Sequence, residues 1–287
     1  MHPQPSSGSI TQYLSLLIAG NSEAVLDLFR GEPHIDDPFG GHVLGERDVH
    51  RFVDERHRWL SERGARLEPI RTTQVRELTD VASIPYECIP PIAVQEKDQP
   101  LGRTVVEVMV HLSVDGRPIA LPVAVVGEVD DAQKVYGLRV YHSFWPLLGT
   151  HRVRPAVLSA DRAARLSGVM ERYQQALVAA DLDGVLATFE PDGCVREPSG
   201  GEYIHCGEAG LRGFYQALFT PGGVPLEHCT VTDDGVCTAL EYNARHWGPM
   251  TIPRQPGVAV YERSMRSGLL QMARLYDDIA VEKGVGE

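Results

Sequence analysis

A five-residue turn occurs twice in this sequence, and its two copies lie 160 residues apart. The first copy is Asp-Pro-Phe-Gly-Gly at 37–41, and the second is Glu-Pro-Ser-Gly-Gly at 197–201. Beyond the turn there are six further identities over some forty residues, the last two after a two-residue slip. These pairs are Tyr13/Tyr173, Val25/Val185, Leu26/Leu186, Phe29/Phe189, Gly45/Gly207 and Phe52/Phe214. The repetition predicts an internal duplication, and therefore two similar domains.

The length of the chain agrees with a duplication, because 287 residues are enough for two ordinary domains. We expect the first domain at residues 1–150, a linker with Pro155 at 151–159, and the second domain at 160–287. We expect the two domains to pack on one another as a pseudo-dimer within the chain. A homodimer of the whole chain is a further possibility.

Each copy begins with helical periodicity and continues with alternating strands. In the first copy the pattern predicts helices at 10–19, 22–29 (capped by Ser22) and 45–63, then strands at 65–77, 81–89, 104–114, 117–129 and 134–144, with a polar loop at 95–100. In the second copy it predicts helices at 160–180, 182–189 (capped by Asp181) and 208–219, then strands at 225–232, 236–245, 258–265 and 269–276. Helices followed by a run of antiparallel strands are typical of an α+β fold.

Charge and composition exclude several classes of partner. The formal net charge of −12 argues against nucleic acid, because basic patches supply most of that affinity. No apolar run is long enough to span a membrane, and the polar N-terminus predicts a cytoplasmic protein. The five cysteines form no Cys-x-x-Cys pair, so we expect reduced thiols and no metal site. His50 and His57 share a predicted helix, but no third ligand is placed near them by spacing.

The repeat itself carries the residues that point to chemistry. Tyr173 lies on the apolar face of its predicted helix, and Glu197 precedes the turn. A curved sheet on three helices leaves an apolar pocket, in which desolvation raises a carboxyl pKa and favours proton transfer near neutral pH. A Tyr hydroxyl in the same pocket can stabilise an oxyanion. The simpler interpretation is that Tyr173 is a core residue and that Glu197 caps the turn or pairs with Arg196.

The segment Glu-Arg-Tyr-Gln-Gln-Ala-Leu-Val-Ala-Ala-Asp-Leu-Asp-Gly-Val-Leu at 171–186 resembles the opening of ketosteroid isomerase. The resemblance continues to Glu197-Pro198 and Gly207. That enzyme belongs to the nuclear transport factor 2-like superfamily, whose cone-shaped fold packs three helices on a curved, mostly antiparallel sheet. The resemblance implies oxyanion-binding roles for the first-helix tyrosines, base roles for the carboxylates before Pro, and a pocket role for a Tyr on the third helix. These residues are Tyr13, Tyr173, Asp37, Glu197 and Tyr215.

The sequence departs from the isomerase pattern at two positions. The isomerase has a protonated Asp on a late strand, and the alignment places Tyr261 and Ala124 there. The second copy also has Glu instead of Asp as the base. The resemblance therefore implies the fold and the pocket more strongly than the reaction.

The tandem arrangement is similar to that of the epoxide hydrolases/cyclases of polyether biosynthesis. Those enzymes pair the base carboxyl with a second carboxyl on the first strand after the third helix. The resemblance implies that Asp37 acts with Glu68, and Glu197 with Glu227. Alternatively, Glu68 and Glu227 face solvent, because a one-residue change of register moves a side chain to the other face. SnoaL-like polyketide cyclases are a third relative.

Other residues are candidates for contact with a substrate. His228 could point inward if Glu227 does not, and Trp145 and Trp247 could line the pockets or fill them. With Tyr215 and Tyr261 they complete the predicted substrate-binding set.

The sequence predicts an enzyme that needs no cofactor and acts by acid–base catalysis. Its expected partner is a small apolar molecule, polyketide-like or steroid-like. Epoxide opening or polyketide-type cyclisation is the leading reaction. Double-bond isomerisation of a ketosteroid-like substrate and a pocket that binds without catalysis are the alternatives.

Overall fold

The computed structural model describes residues 10–75, 83–84, 92–93 and 102–280. They belong to two compact units, Met1–His142 and Ser143–Glu287. Of the predicted strand at 81–89, only 83–84 are described, and the loop predicted at 95–100 lies outside the described residues. The segment predicted as a linker, 151–159, lies within the second unit, and its role as a linker stays a prediction.

Among its described residues, the first unit contains three α-helices and a six-stranded main sheet. After a short 3₁₀ turn at Ile10–Gln12, its helices are α1 (Tyr13–Ala19), α2 (Ser22–Leu26) and α3 (Gly45–Glu62). Its strands are β1 (His34–Asp37), β2 (Gly41–Leu44), β3 (Arg66–Val75), β4 (Ser83–Ile84), β5 (Ile92–Ala93), β6 (Gly102–Val114), β7 (Arg117–Val129) and β8 (Val135–Tyr141). The main sheet has the order β2-β1-β8-β7-β6-β3, and β4 pairs with β5 separately. Only the β1–β8 pair in this main sheet is parallel.

The second unit repeats this arrangement. Its helices are α4 (Trp145–Leu148), α5 (Gly168–Ala179), α6 (Leu182–Leu186) and α7 (Gly207–Leu218). Its strands are β9 (Phe189–Arg196), β10 (Ile204–Cys206), β11 (Leu226–Asp233), β12 (Cys237–Trp247), β13 (Met250–Arg263) and β14 (Leu270–Asp277). The order β10-β9-β14-β13-β12-β11 matches that of the first sheet, with β9–β14 as the parallel pair. The predicted α+β class and the duplication are therefore confirmed.

Helix α3 shows how sequence periodicity orients these helices. Its buried residues are Val49, Phe52 and Val53, spaced so that they share one face, while charged side chains occupy the rest of the surface. No helix in the described parts of the chain combines the length and the apolar character needed to cross a membrane.

The core of the second unit lies between α5, α7 and the inner face of the sheet. From α5 it takes Val169, Met170, Tyr173, Ala176 and Leu177, a spacing that follows the helical repeat. From the sheet it takes Val195, Leu240, Tyr242, Ala259, Tyr261, Leu270 and Ala273. Burying each large apolar side chain contributes about 1.5–3 kcal/mol, so this interface dominates the stability of the unit.

Several predicted elements differ from the structure in their bounds, caps or number. The helix predicted at 160–180 begins at Gly168, which has a positive φ of 61° and so interrupts any helix arriving from before it. Helix α2 is capped by Asn21, whose side chain accepts a hydrogen bond from Ala24 N, rather than by Ser22. The short strands β2 and β10 were not predicted, because three or four residues after a turn carry too little pattern.

A disulfide joins β9 to β10. Cys194 and Cys206 are direct partners in the antiparallel register, with Cα atoms 4.1 Å apart. The expectation of reduced thiols is wrong for this pair, because the pairing depends on a strand that the sequence pattern does not reveal. Cys229 and Cys237 are buried and reduced, and Cys88 lies outside the described residues.

Candidate active site

The second unit encloses a cavity of about 440 Å³, within the range of small-molecule sites. Most of its wall is apolar. Its polar groups come from the turn after β9, from helix α5, from strands β12 to β14 and from His151 in the segment after α4. The lining residues are His151, Tyr173, Leu177, Glu197, Pro198, Ser199, Phe214, Leu218, Val224, Leu226, Tyr242, Ala244, His246, Trp247, Ile252, Tyr261, Leu275, Asp277 and Ile279.

Glu197 reaches this cavity from the repeated turn. Its Oε1 lies 2.5 Å from Nε2 of His205, and Ser199 Oγ donates to its Oε2 at 3.3 Å. The His205 ring stacks on Phe214, with centroids 5.2 Å apart. His205 lies on β10, which the disulfide ties to β9, so the turn is held from both sides. Glu197 does not pair with Arg196, whose guanidinium packs over the ring of Tyr276 instead.

A cluster of tyrosines forms the floor near α5. Tyr173 and Tyr215 share a hydrogen bond of 2.9 Å between their hydroxyls, and Gln174 Nε2 donates to Tyr261 Oη at 3.2 Å. Burial raises the pKa of all three tyrosines above the usual value, so each holds its proton. Tyr173 and Tyr261 line the cavity, whereas Tyr215 lies behind Tyr173 and supports it.

The sequence analysis missed a second carboxyl in the cavity, that of Asp277. Tyr242 Oη donates to its Oδ2 at 2.5 Å. Burial raises the pKa of Asp277 to about 6, and the hydrogen bond from Tyr242 opposes this rise. The predicted last strand ended at Tyr276, one residue too early. Leu275, Asp277 and Ile279 all line the cavity, so the period of two could have revealed this residue.

In the first unit the corresponding carboxyl has a different environment. Asp37 Oδ1 accepts hydrogen bonds from the backbone N–H of Phe39 at 2.8 Å and of Gly40 at 3.1 Å, so this side chain caps its turn. The guanidinium of Arg56, at the position of Leu218 in the repeat, lies 4.5 Å from the centroid of the Phe39 ring. Tyr13 is buried, and burial together with the charge of Asp37 raises its pKa.

Exposure contradicts one of the predicted second carboxyls, and strand register contradicts the other. Glu68 is 68% exposed and pairs with His111 at 2.7 Å on the sheet surface. Glu227 pairs with Arg245 at 3.4 Å and Arg254 at 2.9 Å. In β11 it is Leu226 that lines the cavity, so the register turns Glu227 away and the proposed carboxyl pair with Glu197 is wrong. The exposure of Glu68 likewise contradicts a buried acid–base pair with Asp37.

Of the other residues predicted to contact a substrate, Trp247 lines the cavity, whereas His228 and Trp145 do not. Trp247 lines the cavity and donates from Nε1 to Leu218 O at 2.8 Å. His228 lies outside the cavity, with Nδ1 3.3 Å from Ala164 O, so the prediction that it points inward is wrong. Trp145 belongs to the second unit and not to the end of the first. It does not line the cavity, but it stacks on His151, which does.

One group among the described residues has the composition of a metal site. The ligand atoms of His34, Asp36 and His42 all lie within 4.8 Å of one another, in the first unit. Burial lowers the pKa of His34 to about 4, so its imidazole is neutral at physiological pH.

A family model matches the second unit: residues 170–270 match the SnoaL-like domain. The resemblance inferred from the sequence is confirmed for this part of the chain. Among solved structures, a proposed polyketide cyclase from Sinorhizobium meliloti is 17% identical, with 38% of this chain and 94% of that chain covered and a TM-score of 0.33.

Two further similar structures carry epoxide hydrolase in their names. An LEH-like epoxide hydrolase from M. tuberculosis is 20% identical, with 38% of this chain and 80% of that chain covered and a TM-score of 0.33. The epoxide hydrolase/cyclase-like enzyme SalBIII, which has a role in pyran ring formation in salinomycin, is 20% identical, with coverages of 39% and 92% and a TM-score of 0.33.

Proposed function

We propose that the second unit, a SnoaL-like domain, is an acid–base enzyme that opens an epoxide or closes a ring on an apolar, oxygenated substrate. The observation that carries this proposal is that one apolar cavity contains two carboxyls in different environments. Glu197 pairs with His205 at the turn, whereas Asp277 is desolvated on the last strand. Carboxyls whose environments differ in this way can act as acid and base in one reaction.

Asp277 is the general acid in this proposal. Its pKa of about 6 leaves part of the population protonated near neutral pH. A carboxyl with such a pKa can give up its proton readily while still being available in the acid form. Tyr242 holds the carboxyl in place through the 2.5 Å hydrogen bond to Oδ2.

Glu197 is the general base. His205 is a positioning residue, because it contacts Glu197 and Phe214 from behind the cavity wall. A carboxylate has about four lone pairs, so the contacts with His205 and Ser199 leave Glu197 able to accept a proton.

The proposed step balances in protons and bonds. Glu197 takes the proton of an attacking hydroxyl, and the oxygen of that hydroxyl forms a bond to one epoxide carbon. The carbon–oxygen bond at that carbon breaks, and Asp277 gives its proton to the departing oxygen. If the hydroxyl belongs to the substrate, the product is a cyclic ether with a new hydroxyl. If it belongs to water, the product is a diol.

The cavity wall supports an apolar substrate of moderate size. Leucine, alanine and isoleucine side chains and the ring of Trp247 cover most of the wall, and these exclude water from the reacting groups. The hydroxyls of Tyr173 and Tyr261 are donors that can orient a substrate oxygen.

Isomerisation of a β,γ-unsaturated ketone is a second candidate function. The supporting observation is that Tyr173 and Glu197 line the same cavity, so one could stabilise an enolate oxygen while the other moves the proton. The two reactions differ in their need for Asp277, since the isomerisation returns the proton through the base itself.

The test is to assay turnover of a hydrophobic epoxy alcohol and of a Δ5-3-ketosteroid by the full chain. Glu197→Gln should lower the rate of either reaction by roughly 10²–10⁴-fold. Asp277→Asn should do the same for epoxide opening only. Glu227→Gln is the matched control, because this carboxyl lies outside the cavity, and it should leave the rate within about twofold.

Two outcomes would contradict the proposal. In the first, Glu197→Gln and Glu227→Gln have equal effects on turnover. In the second, the chain binds an apolar ligand with the same affinity in all variants and never turns it over, as a binding protein would.

A further inference from the structure

We propose that the first unit binds a divalent transition-metal ion, for which Zn²⁺ is the probe, through His34, Asp36 and His42. The ligand atoms are the imidazole nitrogens of two His and a carboxylate oxygen, all within 4.8 Å of one another. Neither the repeated turn nor the proposed acid–base function requires this site.

The β1–β2 hairpin brings the three side chains to one face. His34 and Asp36 are two residues apart on β1, so they point to the same side of the sheet. Asp36 and His42 are direct cross-strand partners, which also share a face. Asp37, the residue at the repeated carboxyl position, follows Asp36 and so points to the opposite face. The three candidate ligands therefore lie on the face of this sheet opposite to Asp37.

The existing contacts are compatible with a metal ion. His42 Nδ1 lies 2.5 Å from Asp36 Oδ2, and the His34 and His42 rings have centroids 6.5 Å apart. Zn²⁺ bonds of about 2.0–2.2 Å place neighbouring ligand atoms somewhat over 3 Å apart, so small side-chain rotations close the site. Asp36 and His34 are buried, while the His42 side chain is 33% exposed, which gives an entry path.

The donor set defines the class of ion. Two imidazoles and one carboxylate suit Zn²⁺ and other first-row divalent ions such as Fe²⁺ and Co²⁺, and they are a poor match to Ca²⁺ or Mg²⁺. Three protein ligands leave at least one coordination position open for water.

Arg139 is the register partner of Asp36 on β8, and Glu128 accepts two hydrogen bonds of 2.7 and 2.8 Å from its guanidinium. This pairing offsets the positive charge nearest the site.

The duplicated hairpin in the second unit provides an internal contrast. At the corresponding hairpin positions it has Cys194, Arg196 and Ile204 in place of the two His and the Asp. Neither Arg nor Ile can ligate a metal, and the cysteine is in the disulfide to Cys206. The two hairpins thus have the same antiparallel strand pairing, but the ligand set is present in the first one and absent from the second. One ion per chain is expected.

The experiment is isothermal titration of Zn²⁺ into the chelator-treated full chain, with Co²⁺ absorption as a reporter of coordination. Wild type should bind one equivalent at this site. His42→Ala and Asp36→Asn should each weaken binding by more than about 100-fold, since loss of an outer partner alone costs 10–100-fold. The control is His111→Ala, which removes another His from a carboxylate pair on the same unit and should leave the affinity unchanged.

Folding of each variant is monitored separately by far-ultraviolet circular dichroism. The His42 side chain is 33% exposed, whereas Asp36 is buried, so His42→Ala should disturb the fold less than Asp36→Asn. The proposal is overturned if wild type takes up no Zn²⁺. It is also overturned if folded His42→Ala binds as tightly as His111→Ala, because the ion would then sit on other residues and His42 and Asp36 would form only an ion pair.

Discussion

Replacing Asp277 by Asn should make the protein more stable at neutral pH while removing the proposed acid. Asp277 lies on the wall of an apolar cavity, where burial raises its pKa from 3.8 to about 6. Asn has nearly the same shape and can still accept the hydrogen bond from Tyr242. The substitution therefore removes the charge and keeps the packing.

The sign of the effect follows from proton binding. A carboxyl whose pKa is higher in the folded state holds its proton there after the unfolded chain has released its own. Its stabilising contribution is complete below about pH 4 and is lost as the pH rises through about 6. A difference of about two pH units between the two pKa values corresponds to up to about 3 kcal/mol. Asp277→Asn escapes this loss, so its advantage over wild type should grow by that amount between pH 4 and pH 8.

The measurement is urea-induced unfolding of both proteins at pH 4, 5, 6, 7 and 8. The matched control is Asp183→Asn, since this carboxyl is 84% exposed and should show no such growth with pH. Comparing the two variants separates the effect of burial from that of losing one negative charge.

A flat difference between wild type and Asp277→Asn from pH 4 to pH 8 would refute the reasoning. It would mean that the cavity solvates the carboxylate as well as water does. The assignment of Asp277 as an acid near neutral pH would then fail with it.

Three further outcomes are expected. In epoxide opening, kcat should fall as pH rises through about 6, because Asp277 must be protonated to act as the acid; a rate that keeps rising from pH 5 to pH 8 would contradict its role. Glu128→Gln should destabilise the first unit by about 3–5 kcal/mol in thermal or urea unfolding, because it leaves the buried guanidinium of Arg139 without its counter-charge; a loss under 1 kcal/mol would show that water reaches this pair. Reducing the Cys194–Cys206 disulfide, which spans 12 residues, should lower the free energy of unfolding by about 3 kcal/mol. The measurement is unfolding with and without reductant, with the double Ser variant as the control. An unchanged free energy of unfolding would count against a disulfide at this hairpin.

Much of the candidate site was visible in local patterns. Tyr173 lies on a helix whose apolar spacing orients it inward, and Glu197 lies in a turn that the chain repeats. Asp181 was predicted as a helix cap, and it accepts from Gly184 N at 2.9 Å. Each of these features depends on residues within a few positions of one another, where helical spacing and turn chemistry act directly.

Other parts of the site depended on strand register. Glu227 and Leu226 are adjacent, and only the pairing of β11 with β12 decides that Leu226 faces the cavity. The cysteines of the disulfide meet because β9 and β10 pair in one register. A shift of one residue would reverse every one of these orientations, and the local sequence is compatible with both.

The sequence by itself determined the duplication and the α+β class, and it showed that a tyrosine and a carboxylate recur in each copy, because repeats, periodicity and turns are local properties. Only the tertiary structure decided which carboxyls share a cavity. It paired Glu197 with His205, brought in Asp277 from the far end of the unit, and left Glu68 in solvent. The physical reason is that a cavity is formed by side chains from distant strands, whose inward or outward direction is set by hydrogen-bond register across the sheet.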